Sequence, residues 1–130
     1  MSVKHLYLLA VAATLACAPA SGTSGSSGIP RRANVLTAEE IVAAYADAAS
    51  AYDAIARLRP NWLVAHGVAA HGSEYAAVFL DGQKYGDLAS LRNIPASHVG
   101  DVRYYDVTQA GATFGIKGDT GGVIEVKSKK

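Results

Sequence analysis

Apolar side chains recur with a helical period over residues 37–58. Thr37 and Glu40 open this stretch with the spacing of a capping box, in which each side chain bonds a backbone N–H at the helix start. Apolar positions follow at steps of three or four residues, which places them on one helical face: Ile41, Tyr45, Ala48, Tyr52, Ile55 and Leu58. Because Pro60 disfavours helix at the residue before it, the pattern predicts one long alanine-rich helix over about residues 38–58.

Short strands and turns replace this pattern from residue 75 onward. Residues 75–80, with the sequence YAAVFL, are apolar at consecutive positions, which favours an inner strand buried on both faces. Asp81 and Gly82 follow as a turn signal, because glycine adopts positive φ without strain. The Asp81 carboxylate is therefore interpreted as a turn former that bonds nearby N–H groups, rather than as a catalytic acid.

The last strand is predicted from an alternation of apolar and charged residues. Ile124 and Val126 are expected to face the core, whereas Glu125 and Lys127 face solvent, as in a half-buried strand. The order of elements predicts an α+β domain over residues 37–130, with the long helix packed on a small mixed β-sheet.

Charge excludes one broad class of partner. The chain of 130 residues carries 12 Lys and Arg against 11 Asp and Glu, and only 18% of its residues are charged. A protein that binds nucleic acid through phosphate contacts needs an excess of positive charge, so we expect no nucleic-acid partner.

Residues 1–20 have the composition of an export signal. Lys4 supplies a positive start, and residues 6–16 form an apolar run of 11 residues, which is too short to span a bilayer as a helix. An A-x-A cleavage site would release a chain that begins at Ser21. Alternatively, a lipobox-like segment ends at Cys17, and this cysteine would then be lipidated and become the N-terminus.

A flexible tether is predicted behind this signal. Residues 21–28 read SGTSGSSG, and the linker is assigned to residues 21–36. Cys17 is the only cysteine, so no disulfide can form within the chain. Because a tether suits a domain held at a membrane, we favour removal of residues 1–16 and lipidation of Cys17. Either cleavage position predicts an exported protein.

Four segments carry a family resemblance. Residues 78–82 read VFLDG, residues 94–105 read IPASHVGDVRYY, residues 112–115 read ATFG, and residues 121–126 read GGVIEV. Together they resemble the plug domain of TonB-dependent outer-membrane receptors, in that family's order and roughly its spacing. The residues that carry the resemblance most clearly are these: Asp81, Gly82, Gly115, Gly121 and Gly122.

The resemblance implies a plug-like sheet and a place in the envelope of a Gram-negative-type bacterium, at the outer membrane or in the periplasm. The plug of these receptors lies inside a β-barrel of the same chain, whereas this chain ends at Lys130, so a stand-alone plug-like domain is expected. The expected role is non-enzymatic recognition through loops 64–74 and 108–121. An outer-membrane β-barrel or transport complex is the expected partner, and no cofactor or metal is expected.

His66, His71 and Glu74 carry the alternative function, a small periplasmic metal-dependent hydrolase. The two histidines are five residues apart, whereas a helical metal-binding pair is four apart. Histidines in a loop of small residues more often face solvent than bind a metal, so this interpretation ranks second.

Overall fold

The computed structural model describes residues 32–66, 72–115 and 121–130 and has an α+β fold, as predicted. Five strands form one sheet, and helices lie on both of its faces. The strands and α-helices follow one another along the chain in this order: β1 (Val35–Thr37), α1 (Ala38–Tyr45), α2 (Ala51–Leu58), β2 (Ala77–Leu80), β3 (Gln83–Gly86), β4 (Val99–Tyr105), α3 (Val107–Phe114) and β5 (Val123–Ser128). Short 3-10 helices form at Pro60–Leu63, Leu88–Asn93 and Ala96–His98.

The sheet is mixed, with the strand order β1-β4-β5-β2-β3. β5 lies at the centre, parallel to β2 and antiparallel to β4. Val78 of β2 pairs with Ile124, and Tyr104 of β4 pairs with the same residue from the other side. β2 is an inner strand buried on both faces, which confirms the prediction for residues 77–80 of the apolar segment, whereas Tyr75 precedes the strand and is 49% exposed.

The predicted single helix is wrong, because the chain breaks into α1 and α2. Ser50 has extended backbone, with φ −134° and ψ 165°, and its side chain accepts a hydrogen bond from the Asp53 N–H as an N-cap. The Ala51 N–H donates to the Ile94 carbonyl oxygen at 2.8 Å, so the break is tied to a distant segment. A second capping box thus starts a new helix where the apolar period alone predicts continuation.

The main core lies between α1, α2 and one face of the sheet. Ile41 and Ile55 of the predicted apolar helical face are buried there, while Tyr45 lies under the Arg57 guanidinium instead. The core is built from the following buried side chains: Leu36, Ile41, Ala51, Ala54, Ile55, Trp62, Ala76, Val78, Leu91, Ile94, Val99, Val102, Ile124 and Val126.

A second, smaller core lies on the opposite face under α3. Phe114 of α3 packs on Phe79 of β2, with ring centroids 4.5 Å apart. Glu125 is only 8% exposed on this face and accepts a hydrogen bond from the Tyr105 hydroxyl at 3.0 Å. The prediction that Glu125 faces solvent is therefore wrong. The alternating pattern assigns this face of β5 to solvent, but α3 covers it.

The ordered sheet begins earlier than the predicted linker boundary at residue 36. Leu36 is fully buried in β1, and the Tyr104 N–H donates to the Asn34 carbonyl oxygen at 3.0 Å. Arg59 fastens this edge, since its guanidinium donates to the Val35 carbonyl and pairs with Glu40 at 3.0 Å. The predicted signal, with Cys17, and the linker up to residue 31 lie outside the described residues.

Candidate functional site

One end of the sheet gathers most of the residues that the sequence singles out. β2 and β5 are parallel, so both begin at this end, and antiparallel β4 finishes there. His66, Glu74, Gly121 and Gly122 all lie at this end. His71 lies outside the described residues.

Backbone hydrogen bonds pack three segments tightly at this end. The Gly121 N–H donates to the carbonyl oxygens of Ser73 and Tyr75, at 2.9 and 3.2 Å. The His66 N–H donates to the Glu74 carbonyl oxygen at 2.7 Å. A side chain at Gly121 would collide with that same Glu74 carbonyl, so the close approach requires glycine.

Gly122 has a second reason to be glycine. Its φ is +118°, which L side chains rarely adopt, and an added Cβ would lie 2.6 Å from the Tyr105 carbonyl oxygen. Backbone geometry therefore requires glycine at both positions before the last strand.

Asp81 and Gly82 lie at the opposite end of the sheet, so the structure does not bring them to this site. Both have positive φ, at 48° and 83°, and form the tight turn between β2 and β3. The Asp81 carboxylate accepts from the Ser128 N–H at 2.9 Å and from its hydroxyl at 2.5 Å, and these bonds lower the pKa of Asp81. The predicted turn is confirmed, but its carboxylate bonds the end of β5 rather than local N–H groups. Gly115 ends α3, so the first part of the predicted recognition loop 108–121 is helical.

Three aromatic side chains, Trp62, Tyr104 and His66, pack against one another at this end of the sheet. The Tyr104 ring stacks on buried Trp62 with centroids 5.7 Å apart and an interplanar angle of 16°. The His66 ring packs against Tyr104 at 5.4 Å. Burial, and then the charge of Asp106, raise the pKa of Tyr104. The Tyr104 hydroxyl is therefore neutral at ordinary pH, and the Tyr104 ring contributes to packing between Trp62 and His66.

The histidine in this stack is held by a backbone acceptor. His66 Nε2 lies 2.8 Å from the Asn61 carbonyl oxygen, which can only accept, so Nε2 carries the proton. Only Nδ1 then remains as a metal-ligating atom. Within residues 32–66, 72–115 and 121–130, no three His, Cys, Asp or Glu side chains are grouped so that they could hold a metal ion.

An open cleft of about 370 Å³ borders this end of the sheet. Ser73 and Tyr75, whose carbonyls bond Gly121, form one wall of it. The full lining consists of Tyr52, Leu63, Ser73, Tyr75, Asp87, Leu88, Ala89 and Arg92. Sequence analysis misses this cleft because its walls come from α2, the segment before β2 and the 3-10 helix Leu88–Asn93, and no local pattern joins them.

Comparison of the chain with known protein families, with curated proteins and with solved structures finds no match. In the described part of the chain, no helix is long and apolar enough to cross a membrane.

Proposed function

We propose that this chain is a non-enzymatic protein of the cell envelope whose plug-like domain recognises a partner at the end of the sheet near Tyr75. The observation that carries this proposal is the exposure of apolar side chains beside an open cleft. Tyr75 lines the cleft and is 49% exposed, and Val64, which follows the cleft residue Leu63 in sequence, is 52% exposed. Exposed tyrosines beside a concave apolar surface are typical of recognition sites.

The rigidity of the surroundings supports a binding role. His66 is fixed through its ring and its backbone N–H, and Tyr104 is fixed between His66 and Trp62. A surface held in one arrangement before binding loses less conformational entropy when a partner arrives. The polar groups at this end therefore serve to hold the surface in shape.

The envelope location is proposed from the N-terminal segment and the family resemblance. Export through the signal at residues 1–20, followed by lipidation at Cys17, would tether the domain by its Gly/Ser-rich linker. An outer-membrane β-barrel or transport complex is the proposed partner. The neutral balance of charge favours contact by shape and apolar area over electrostatic attraction.

Site-specific photo-crosslinking in cells tests the partner. A crosslinking residue at Tyr75 is compared with one at Val42, which is 60% exposed on α1 and does not line the cleft. We expect a β-barrel membrane protein to be captured from position 75 and not from position 42. Capture of no barrel protein, or equal capture from both positions, would contradict the proposal.

Intact-mass analysis of the membrane-associated protein tests the anchor. The proposal predicts an acylated chain that begins at Cys17, and Cys17→Ser should release the protein from membranes. A mature chain that begins at Ser21 without an acyl group would refute the lipoprotein assignment and leave export standing.

Zinc analysis tests the alternative function, a metal-dependent hydrolase. Glu74 and His66 are neighbours in space through their backbone bond, so zinc analysis of the purified protein is informative. Stoichiometric zinc that is lost in both His66→Ala and His71→Ala would overturn the non-enzymatic proposal.

A further inference from the structure

A positively charged side chain at the cleft lies against an aromatic ring and has no carboxylate partner among the described residues. The guanidinium carbon of Arg92 lies 3.8 Å from the centre of the Tyr52 ring. The ion pairs of the described residues are Arg59 with Glu40 and Arg103 with Asp101, and Arg92 takes part in neither. The charge of Arg92 is therefore available to a ligand.

The N–H donors of this guanidinium make no hydrogen bond to another described residue. A ring beneath the guanidinium plane contacts its face, whereas its N–H donors point outward within the plane. These donors match the two oxygens of a carboxylate in a bidentate pair. Because Tyr52 restricts the side chain, Arg92 loses less entropy when it binds such a group.

The remaining walls of the cleft suit one aromatic ring. Leu63 and Leu88 supply apolar surface, and the half-exposed Tyr75 supplies a ring face. The volume of about 370 Å³ is at the lower end of the range for small-molecule sites, which is enough for a single ring with a short substituent.

Asp87 limits the number of negative charges that a ligand of the cleft can carry. Its carboxylate lines the same cleft and accepts from the Ser90 N–H at 3.3 Å, where it caps the 3-10 helix Leu88–Asn93. This negative charge repels a second anionic group, so a ligand with one carboxylate fits better than one with two.

We propose that the cleft binds a monocarboxylate that carries one aromatic ring. The carboxylate pairs with Arg92, and the ring lies against Tyr75, Leu63 and Leu88. This inference rests on the proposed recognition function, since it names the chemistry that is recognised. The same chemistry occurs in a free aromatic acid and at the C-terminus of a peptide that ends in phenylalanine.

Titration of the purified protein with N-acetylphenylalanine, followed by NMR, tests this site. We expect saturable shifts at the cleft residues, and no such shifts with the neutral N-acetylphenylalanine amide. Arg92→Gln should weaken binding by roughly tenfold or more, because a charged hydrogen-bonding partner is lost. Asp87→Asn should strengthen binding, because asparagine still caps the helix while the repulsion is removed.

A comparison of two probes distinguishes a peptide terminus from a free acid as the ligand. A Gly-Gly-Phe peptide that binds more tightly than N-acetylphenylalanine identifies a chain terminus as the source, and weaker binding identifies a free acid. Absence of saturable shifts up to roughly 10 mM, or unchanged affinity in a folded Arg92→Gln protein, overturns the inference. Probe binding without any crosslinked barrel refutes the partner alone, whereas crosslinking without probe binding refutes the ligand class alone.

Discussion

Replacement of Ile124 by alanine tests the central register of the sheet. Ile124 is fully buried in β5, between Val78 of β2 and Tyr104 of β4, on the face that α2 covers. Truncation of a buried isoleucine removes its transfer free energy and leaves a cavity, at a cost of about 2–5 kcal/mol. A domain with about 5–15 kcal/mol of total stability would lose a large share of it. The expected fall in melting temperature is about 10 °C or more.

Thermal unfolding followed by circular dichroism measures this effect. Lys127→Ala is the matched control, because Lys127 lies on the same strand but on the opposite face, and it should change stability by about 0.5 kcal/mol or less. Ile124→Val removes a single methylene and should cost about 0.5–1.5 kcal/mol, which places it between the two. If Ile124→Ala melts like the wild type while Lys127→Ala unfolds at lower temperature, the register of β5 is wrong by one residue.

Two further predictions concern the two ends of the sheet. Gly121→Ala should destabilise the domain by about 1–3 kcal/mol, because its Cβ collides with the Glu74 carbonyl. Gly111→Ala, in open space on α3, should stabilise by about 0.5–1 kcal/mol, and equal melting temperatures for the two variants would contradict the close packing. Asp81→Asn should lower the melting temperature at neutral pH. The bonds from Ser128 lower the folded-state pKa of Asp81, so this difference from wild type should begin to shrink as the pH falls to about 4 and should vanish only below the lowered folded-state pKa. A difference that stays unchanged over this range would exclude the charge as its cause.

The hairpin could be predicted because its signal is local. Asp81 and Gly82 require only the conformational freedom of adjacent residues, and the structure gives both of them positive φ. Gly122 similarly precedes a strand in sequence and adopts φ +118°. The apolar period of the helical region also predicts correctly that Ile41 and Ile55 are buried.

The sequence contains a signal for the break between α1 and α2, but the apolar period that continues across it favours a single helix. Ser50 and Asp53 have the spacing of a capping box, yet the apolar steps continue in phase from Ala48 to Tyr52 across the break. The break is completed by the bond from Ala51 to the Ile94 carbonyl, a contact between segments more than forty residues apart. Local periodicity therefore identifies the buried face but not the point at which the helix is interrupted.

Burial of Glu125 and assembly of the cleft depend on contacts that no local pattern contains. Glu125 occupies a polar position in an alternating strand, and it is buried only because α3 returns over that face and Tyr105 supplies a hydroxyl donor. Arg92 similarly gains its role only when α2 brings Tyr52 beneath it. In both cases a charged side chain is positioned by an aromatic residue that is distant in sequence.

The parallel pairing of β2 with β5 explains why these two strands meet the same neighbouring segments at each end of the sheet. Parallel strands finish at the same end, where the Asp81 carboxylate can bond Ser128 and hold the two strand ends together. They also start at the same end, where the chain enters β2 after Tyr75 and enters β5 after Gly121. The entering segments are joined by backbone hydrogen bonds from the Gly121 N–H to the carbonyl oxygens of Ser73 and Tyr75. Because these bonds use the backbone, the Tyr75 side chain can face outward, where it forms part of the proposed recognition site.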